Sequence, residues 1–461
     1  MKLSFENRIP RWDEGLPLGN GILGALVWGE ADDFRISLNR ADLWDLRRSD
    51  TFSSPQFNYR EYVRLARAGK AGMGEFASLF DAPYNLPFPT RIPAAALRAL
   101  SDGDLGTGEF SLDVSRAEAT VRTSSAEVRV FTDAAEKYGR ILVSGSCRVQ
   151  LLPPSFAETA EKSEVVRHPL SSLGYPPCKR FAKNGGEWFV QEISGGRAYA
   201  AFLCKKITGD GAEYVFDVRP LTRGEEEAEE HFFRLLKALK TPYVTAIRAH
   251  AGWWKKFFSE SRVSLPQEEK NLARLHELGE YFLACCSRKN CPPMTLQGVW
   301  LADDGDLPPW KGDYHLDLNL QYSYASAFKF NHLEQGECYT DFLLSLRPAA
   351  KKFAKDFFGA DGYILPGVMD IEGNPMAGWG QYSLSPGNHP WNCLGLDEWL
   401  RYTGGEENLQ NVYEYLAGSG RALASLLTEN EEGFLAFPVS TSPEIGDDSE
   451  RAFLHPDSNY D

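Results

Sequence analysis

The chain has 461 residues, 43% hydrophobic and 25% charged, with a net charge of −15 at pH 7. That length exceeds one ordinary core, so two or three domains are expected. The acidic balance argues against phosphate backbones and anionic membrane surfaces as partners. The 8 cysteines show no CxxC spacing and the 8 histidines no HxH or HxxxH pair, so neither a disulfide framework nor a metal centre is expected, and no cofactor. No segment reaches the length of a membrane span, and Met1–Glu6 lacks the apolar core of a signal peptide; with reduced cysteines this gives an expected cytoplasmic location.

Residues 1–235 read mostly as β. Short β-branched runs bounded by small or polar residues fall at 121–131, 139–145, 198–204 and 213–218, as in an antiparallel sandwich. The glycines of Gly19-Asn-Gly21 and Gly24 suit a tight turn or a close backbone approach, and no βαβ context supports a dinucleotide site. Tyr62, Leu65, Ala66 and Met73 space as a helix inserted between strands over 59–80. The acidic run 225–230 reads as a solvated helix start.

From about 236 the hydrophobic period changes to that of helices. Residues 236–265, with Ala249–Phe258, read as a helical linker, and 266–461 as a helical domain. Leu272, Leu275, Leu278, Phe282 and Cys285 form a first apolar stripe. Phe342, Leu346, Ala350, Phe353 and Phe357 form a second, closed by Gly359 and Gly362. Leu396, Trp399 and Tyr402 give a third, ended at Gly404-Gly405, and Val412, Leu416, Leu423 and Leu427 a fourth. An α/α barrel and a helical bundle both read this way.

The chemistry concentrates in Thr295-Leu-Gln-Gly-Val-Trp300 and Pro308-Pro-Trp-Lys-Gly-Asp-Tyr-His-Leu-Asp-Leu-Asn319. His315, Asp317 and Asn319 alternate, so an extended backbone would put them on one face. Trp300, Trp310, Tyr314, Tyr322 and Tyr324 surround them, in a chain of 13% aromatic content, as in a sugar-binding pocket. The same spacing also fits a strand whose polar groups are satisfied in the core. Trp379, Trp391 and Asp370 are further substrate-binding candidates.

Three ordered stretches resemble glycoside hydrolase family 95, which contains inverting 1,2-α-L-fucosidases and α-L-galactosidases. They are Trp12–Gly29 with Ile36–Asn39 and Asp42–Trp44; Tyr281–Arg288 with Pro293–Trp300 and Tyr314–Asn319; and Ser440-Thr-Ser-Pro-Glu444. The resemblance implies an N-terminal β-sandwich (1–235), a helical linker (236–265) and an incomplete (α/α) six-hairpin barrel (266–461), truncated at the C-terminus. It implies an exo-glycosidase acting on an oligosaccharide or glycoconjugate. Glu444 would be the general acid, its pKa raised by partial burial among apolar walls, and Asn319 would hold water. His315 would contact substrate, and Asp370 falls near a polar motif of the family; Trp300, Trp310, Trp379 and Trp391 read as pocket walls or as core aromatics. The family's pattern has asparagine where this chain has Asp317: a carboxylate there would be a direct base, and the change equally fits a different substrate, a decayed site or a structural acid. The competing readings are a non-catalytic carbohydrate-binding relic or fragment, and a related inverting phosphorylase.

Overall fold

Alternation of apolar and polar residues builds two antiparallel sheets over the first half of the chain. The computed structural model describes residues 1–102, 106–156, 167–446 and 449–453. Among the described residues the larger sheet has nine strands, in the order Lys2–Glu6, Glu109–Asp113, Glu118–Arg122, Ala126–Thr132, Gly139–Gly145, Gly211–Leu221, Ala198–Thr208, Gly186–Glu192 and Lys179–Lys183. The smaller has six. Cys147–Leu152, Ala95–Ser101, Asp33–Arg40, Leu23–Glu30 and Arg8–Ile9 follow one another, and Leu16–Gly19 also pairs with Leu23–Glu30.

The register shows why the sheets hold. Val121 faces Val128, which faces Val143, and Ala119 faces Val130, which faces Ile141. All six lie in the sandwich core. On the opposite face Arg122 meets Glu127 across the ladder at 2.7 Å. Inward apolar rows and outward charged pairs are what a period of two imposes on a half-buried sheet.

Two compact units result, and they divide the chain elsewhere than at 235 and 265. The β unit comprises Met1–Asp45, Arg91–Pro309 and Phe330–His332; the helical unit comprises Leu46–Thr90, Trp310–Lys329 and the chain from Leu333 onward. Helices Glu225–Ala238, Tyr243–Glu260 and Lys270–Cys286 therefore belong with the sheets. Specific bonds explain this. The Tyr281 hydroxyl donates to the Pro17 carbonyl at 2.6 Å, the Trp300 indole to Leu18 O at 2.8 Å, and Gly21 N to Cys285 O at 2.8 Å. A Cβ on Gly19 would stand 2.5 Å from that Cys285 oxygen, so glycine is required by close approach rather than by a ligand.

These bonds also turn the helix Lys270–Cys286. Its buried face carries Tyr281, Leu283, Ala284, Cys285 and Cys286, whereas Leu272 and Leu275 are 53% and 65% exposed and Phe282 is 40% exposed. The expected stripe through Leu272, Leu275 and Phe282 is thus not the buried one. The eight cysteines are free thiols.

In the helical unit, the segment inserted between strands forms the helix Tyr59–Arg67, capped by Asn58 accepting from Glu61 N. It joins this unit because Tyr59, Tyr62, Phe76 and Phe80 share an aromatic cluster with Phe357 and Phe358. The stripe Phe342 to Phe357 is buried throughout. It spans three segments, Leu333–Ser345, Arg347–Phe353 and Ala354–Phe358, because Pro348 restarts the helix after Ser345. Gly359, at φ +69°, ends it. Asn388–Thr403 packs on both Leu333–Ser345 and Glu406–Ala424, giving part of an α/α barrel. Among the described residues, no helix is long and apolar enough to cross a membrane.

Candidate active site

The site segment begins with backbone strain. Trp310, Lys311 and Gly312 all take left-handed φ, at 46°, 57° and 60°. Two of them carry side chains, and such conformations persist only where the surroundings hold them. The twist leaves Trp310 42% exposed and drives Lys311 to 2% exposure. The Lys311 ammonium lies 4.2 Å from the centre of the Tyr84 ring and 3.4 Å from Phe88 O. Burial pulls its pKa from the ordinary 10.5 down to about 7, against the opposing pull of the Asp313 charge.

Asp313 is fully buried and takes two partners. The Tyr84 hydroxyl donates to Oδ2 at 2.7 Å, and His315 Nδ1 lies 2.6 Å from Oδ1. A carboxylate can only accept, so Nδ1 carries its proton and Nε2 is the ring atom left for other work. Burial disfavours the imidazolium, but the charge and hydrogen bond of Asp313, with the charge of Asp317, outweigh it and raise the His315 pKa. A short antiparallel pair fixes the ring's backbone: Tyr314 faces Met369 and His315 faces Val368. Trp379, itself at φ +48°, lies 6.3 Å from the His315 ring and 5.0 Å from that of Tyr84.

The extended run expected to carry 315, 317 and 319 ends at His315. Leu316–Leu318 form a turn, and Asn319 opens the helix Asn319–Tyr324 with an exposed side chain. Gln321 causes this by reaching back to the Leu316 carbonyl at 2.5 Å. Asp317 Oδ1 is buried and has no hydrogen-bond partner among the described residues. Burial raises the Asp317 pKa, His315 counters it, and the charges of Asp313 and Glu444 push it further up. His315, Asp317 and Glu444 thus come within electrostatic reach across more than a hundred residues of sequence.

Glu444 sits at φ +61° in a turn closed by Ile445 N donating to Ser442 O at 3.3 Å. It is exposed, so the apolar enclosure expected around it is absent among the described residues. Asp370 is buried and structures its own loop, with Oδ1 accepting from Glu372 N at 2.9 Å and Asn374 N at 3.0 Å. Burial nevertheless raises its pKa to about 6. Trp391 lies with Tyr322, 5.9 Å between rings, in a hollow of about 350 Å³ that includes neither His315 nor Asp317. Trp300 belongs to the β unit, its indole bonded to Leu18.

Sequence reading missed Tyr84, Lys311 and Asp313. Asp313 was legible, being one more step upstream in the alternation Asp313, His315, Asp317. Tyr84 left no local signal, since it lies 229 positions from its partner.

Residues 255–458 match the glycosyl hydrolase family 95 catalytic domain, and residues 3–71 match the N-terminal domain of glycosyl hydrolase family 65. Alpha-L-fucosidase 2 of Arabidopsis thaliana is 24% identical, over 96% of this chain and 61% of that protein. Probable alpha-fucosidase A of Aspergillus niger is 26% identical, over 93% and 61%. The chain therefore spans about 61% of the length of these relatives. A solved structure described as a putative kojibiose phosphorylase from human microbiome shares the fold at a TM-score of 0.64 and 11% identity, covering 96% of this chain and 62% of that one.

Proposed function

Because the chain belongs to glycoside hydrolase family 95, we propose that it acts in the hydrolytic release of α-L-fucose, or α-L-galactose, from oligosaccharides, with inversion at the anomeric carbon. Inversion needs an acid at the leaving oxygen and a base on a water at the opposite face, with the carboxyls about 6.5–9.5 Å apart. In this reading Glu444 is the acid, Asp317 the base, and Asn319 a further holder of the water. His315 meets the sugar through Nε2, with Trp379 as a wall beside it.

The observation that carries the reading is the Asp317 carboxyl. Leaving a buried acceptor unsatisfied costs about 1–3 kcal/mol, and a reactive water donating to Oδ1 would remove that cost. Its raised pKa brings the base nearer to operating pH, where general-base catalysis is most effective. The exposure of Glu444 suits an acid that must meet a leaving group and recover its proton from solvent. Trp310 and Trp391 keep ring surface open to outlying sugar units, and Asp370 holds the loop beside the strand that pairs with His315.

The test is turnover of p-nitrophenyl α-L-fucoside, p-nitrophenyl α-L-galactoside and 2′-fucosyllactose by this chain and by its full reading frame, followed by proton NMR. The β-anomer should appear first. An α-anomer as first product removes inversion, and no turnover by either protein on any of the three removes the hydrolase reading.

A further inference from the structure

The β unit holds a cavity of about 800 Å³ that the catalytic reading does not use. Its size falls within the ~300–1,000 Å³ typical of ligand sites. One wall is the side of strand Asp33–Arg40 that carries Arg35, Ser37 and Asn39, opposite the core-facing Phe34, Ile36 and Leu38. Alternation along the strand separates the two faces. Trp12 and Asp13 of the turn Trp12–Glu14, the loop 302–305, the segment 152–155 and Arg167 supply most of the rest.

Two half-buried indoles, Trp12 and Trp28, line it, and both are held at their N–H edges. Trp28 Nε1 donates to Ser37 Oγ at 2.7 Å, and that hydroxyl donates to Asp303 Oδ2 at 2.7 Å. Trp12 Nε1 donates to Asp304 Oδ2 at 3.0 Å, and the same carboxylate receives Arg167 Nη2 at 2.7 and 2.8 Å. Arg35 stands 3.6 Å from Asp303 and 5.9 Å from the Trp28 ring centre. The tethers fix the rings and leave their faces as the variable surface.

The charges balance. Arg11, Arg35 and Arg167 stand against Asp13, Asp303 and Asp304, so the cavity offers paired donors and acceptors with no net attraction for an ion. A phosphate or polyanion would want uncompensated cations, and a purely apolar ligand would strip water from these paired charges and put nothing polar in its place. We infer that this cavity is a carbohydrate-binding site in the β unit for a neutral oligosaccharide, with C–H faces on Trp12 and Trp28 and hydroxyls on the Arg–Asp pairs.

The probes are cellotetraose, xylotetraose and lacto-N-tetraose, which carry no α-L-fucosyl or α-L-galactosyl group and so address this site independently of the catalytic reading. Inorganic phosphate and an oligogalacturonide are the charged controls. Titration calorimetry and tryptophan fluorescence on the 461-residue chain should show saturable binding of at least one neutral probe. Trp12→Ala and Trp28→Ala should each weaken it about tenfold or more. Trp12 lies on a partly exposed turn, so Trp12→Ala carries the test even if Trp28→Ala unfolds. No binding of any neutral probe up to its solubility overturns the inference. So does binding unchanged in Trp12→Ala, or a preference for either charged control.

Discussion

The two units treat charge differently. In the β unit, ion pairs such as Arg122–Glu127 and Arg98–Asp33 run along exposed ladders. The buried Arg91 gives its guanidinium to the carbonyls of Gly298 and Val299. In the helical unit Lys311, Asp313, His315 and Asp370 are all buried within sixty residues of one another, and the neighbouring Asp317 keeps a buried oxygen that has no partner among the described residues. These charges of the β unit close on one another or on backbone carbonyls. In the helical unit the pKa values of Lys311, His315, Asp317 and Asp370 are all moved from their ordinary values, burial acting on each, and clusters of such groups are found at functional sites more often than elsewhere. On the proposed reading, the difference separates electrostatics that serve folding from electrostatics that serve a reaction.

The sharpest way to break this comparison is at Glu444. In the full reading frame, Glu444→Gln should lower turnover of 2′-fucosyllactose by about 10²–10⁴-fold. It should lower that of the p-nitrophenyl fucoside far less, since that leaving group needs little protonation. Equal losses on both substrates would show that Glu444 is not the acid.

In the β unit, Phe110→Ala removes a fully buried ring packed edge-on against Phe34 at 6.0 Å. It should cost about 3–5 kcal/mol in urea unfolding. The loss should be the same at pH 5 and pH 8, because both rings lie in the apolar sandwich core. A pH-dependent loss would erase the contrast.

Lys311→Met should stabilise the helical unit. The unfolded chain holds the lysine proton up to about 10.5, and the folded chain releases it near about 7. The unfolded state therefore binds more protons between those values. Stability should climb as pH rises through that window, and the full penalty should apply below it. Each pKa unit corresponds to about 1.4 kcal/mol. Urea midpoints at pH 6, 8 and 10 should rise in the native chain and lie flatter in Lys311→Met; a falling series in the native chain would sink the assignment.

The smallest effect concerns Asp370. Its folded pKa of about 6 lies above the ordinary 3.8, so the folded state binds more protons in between. Its contribution makes stability fall as pH rises from about 4 to about 6. Asp370→Asn should remove that decline while keeping the oxygen that accepts from Glu372 and Asn374. A decline of unchanged size in the variant would assign it to another group.

Legibility in the sequence followed the range of the interactions. The strand Gly139–Gly145 stands where its β-branched run put it, because alternation is a local property. The acidic run begins a helix at Glu225, where three glutamates occupy the first turn. The alternation put His315 and Asp317 within electrostatic reach of each other but was a false signal of a strand through Asn319, since Gln321 turns the chain into a helix. The stripe at Leu272 misled for a related reason: Tyr281 and Cys285 bond to the sheet and choose the other face. Tyr84 could not be read at all, because nothing near it in sequence mentions Asp313.

The segment Leu46–Thr90 leaves the β unit between two of its strands and joins the helical unit. During synthesis, Tyr84 emerges 229 residues before Asp313. At about 5–20 residues per second, that is a wait of roughly 10–45 s. The aromatic cluster around Tyr62 and Phe80 waits for Phe357 as well. A nascent chain must therefore carry an exposed aromatic loop through the making of most of the sandwich, a stage at which a chaperone that grips aromatic surface would find its target. No single cut in the chain yields both units whole.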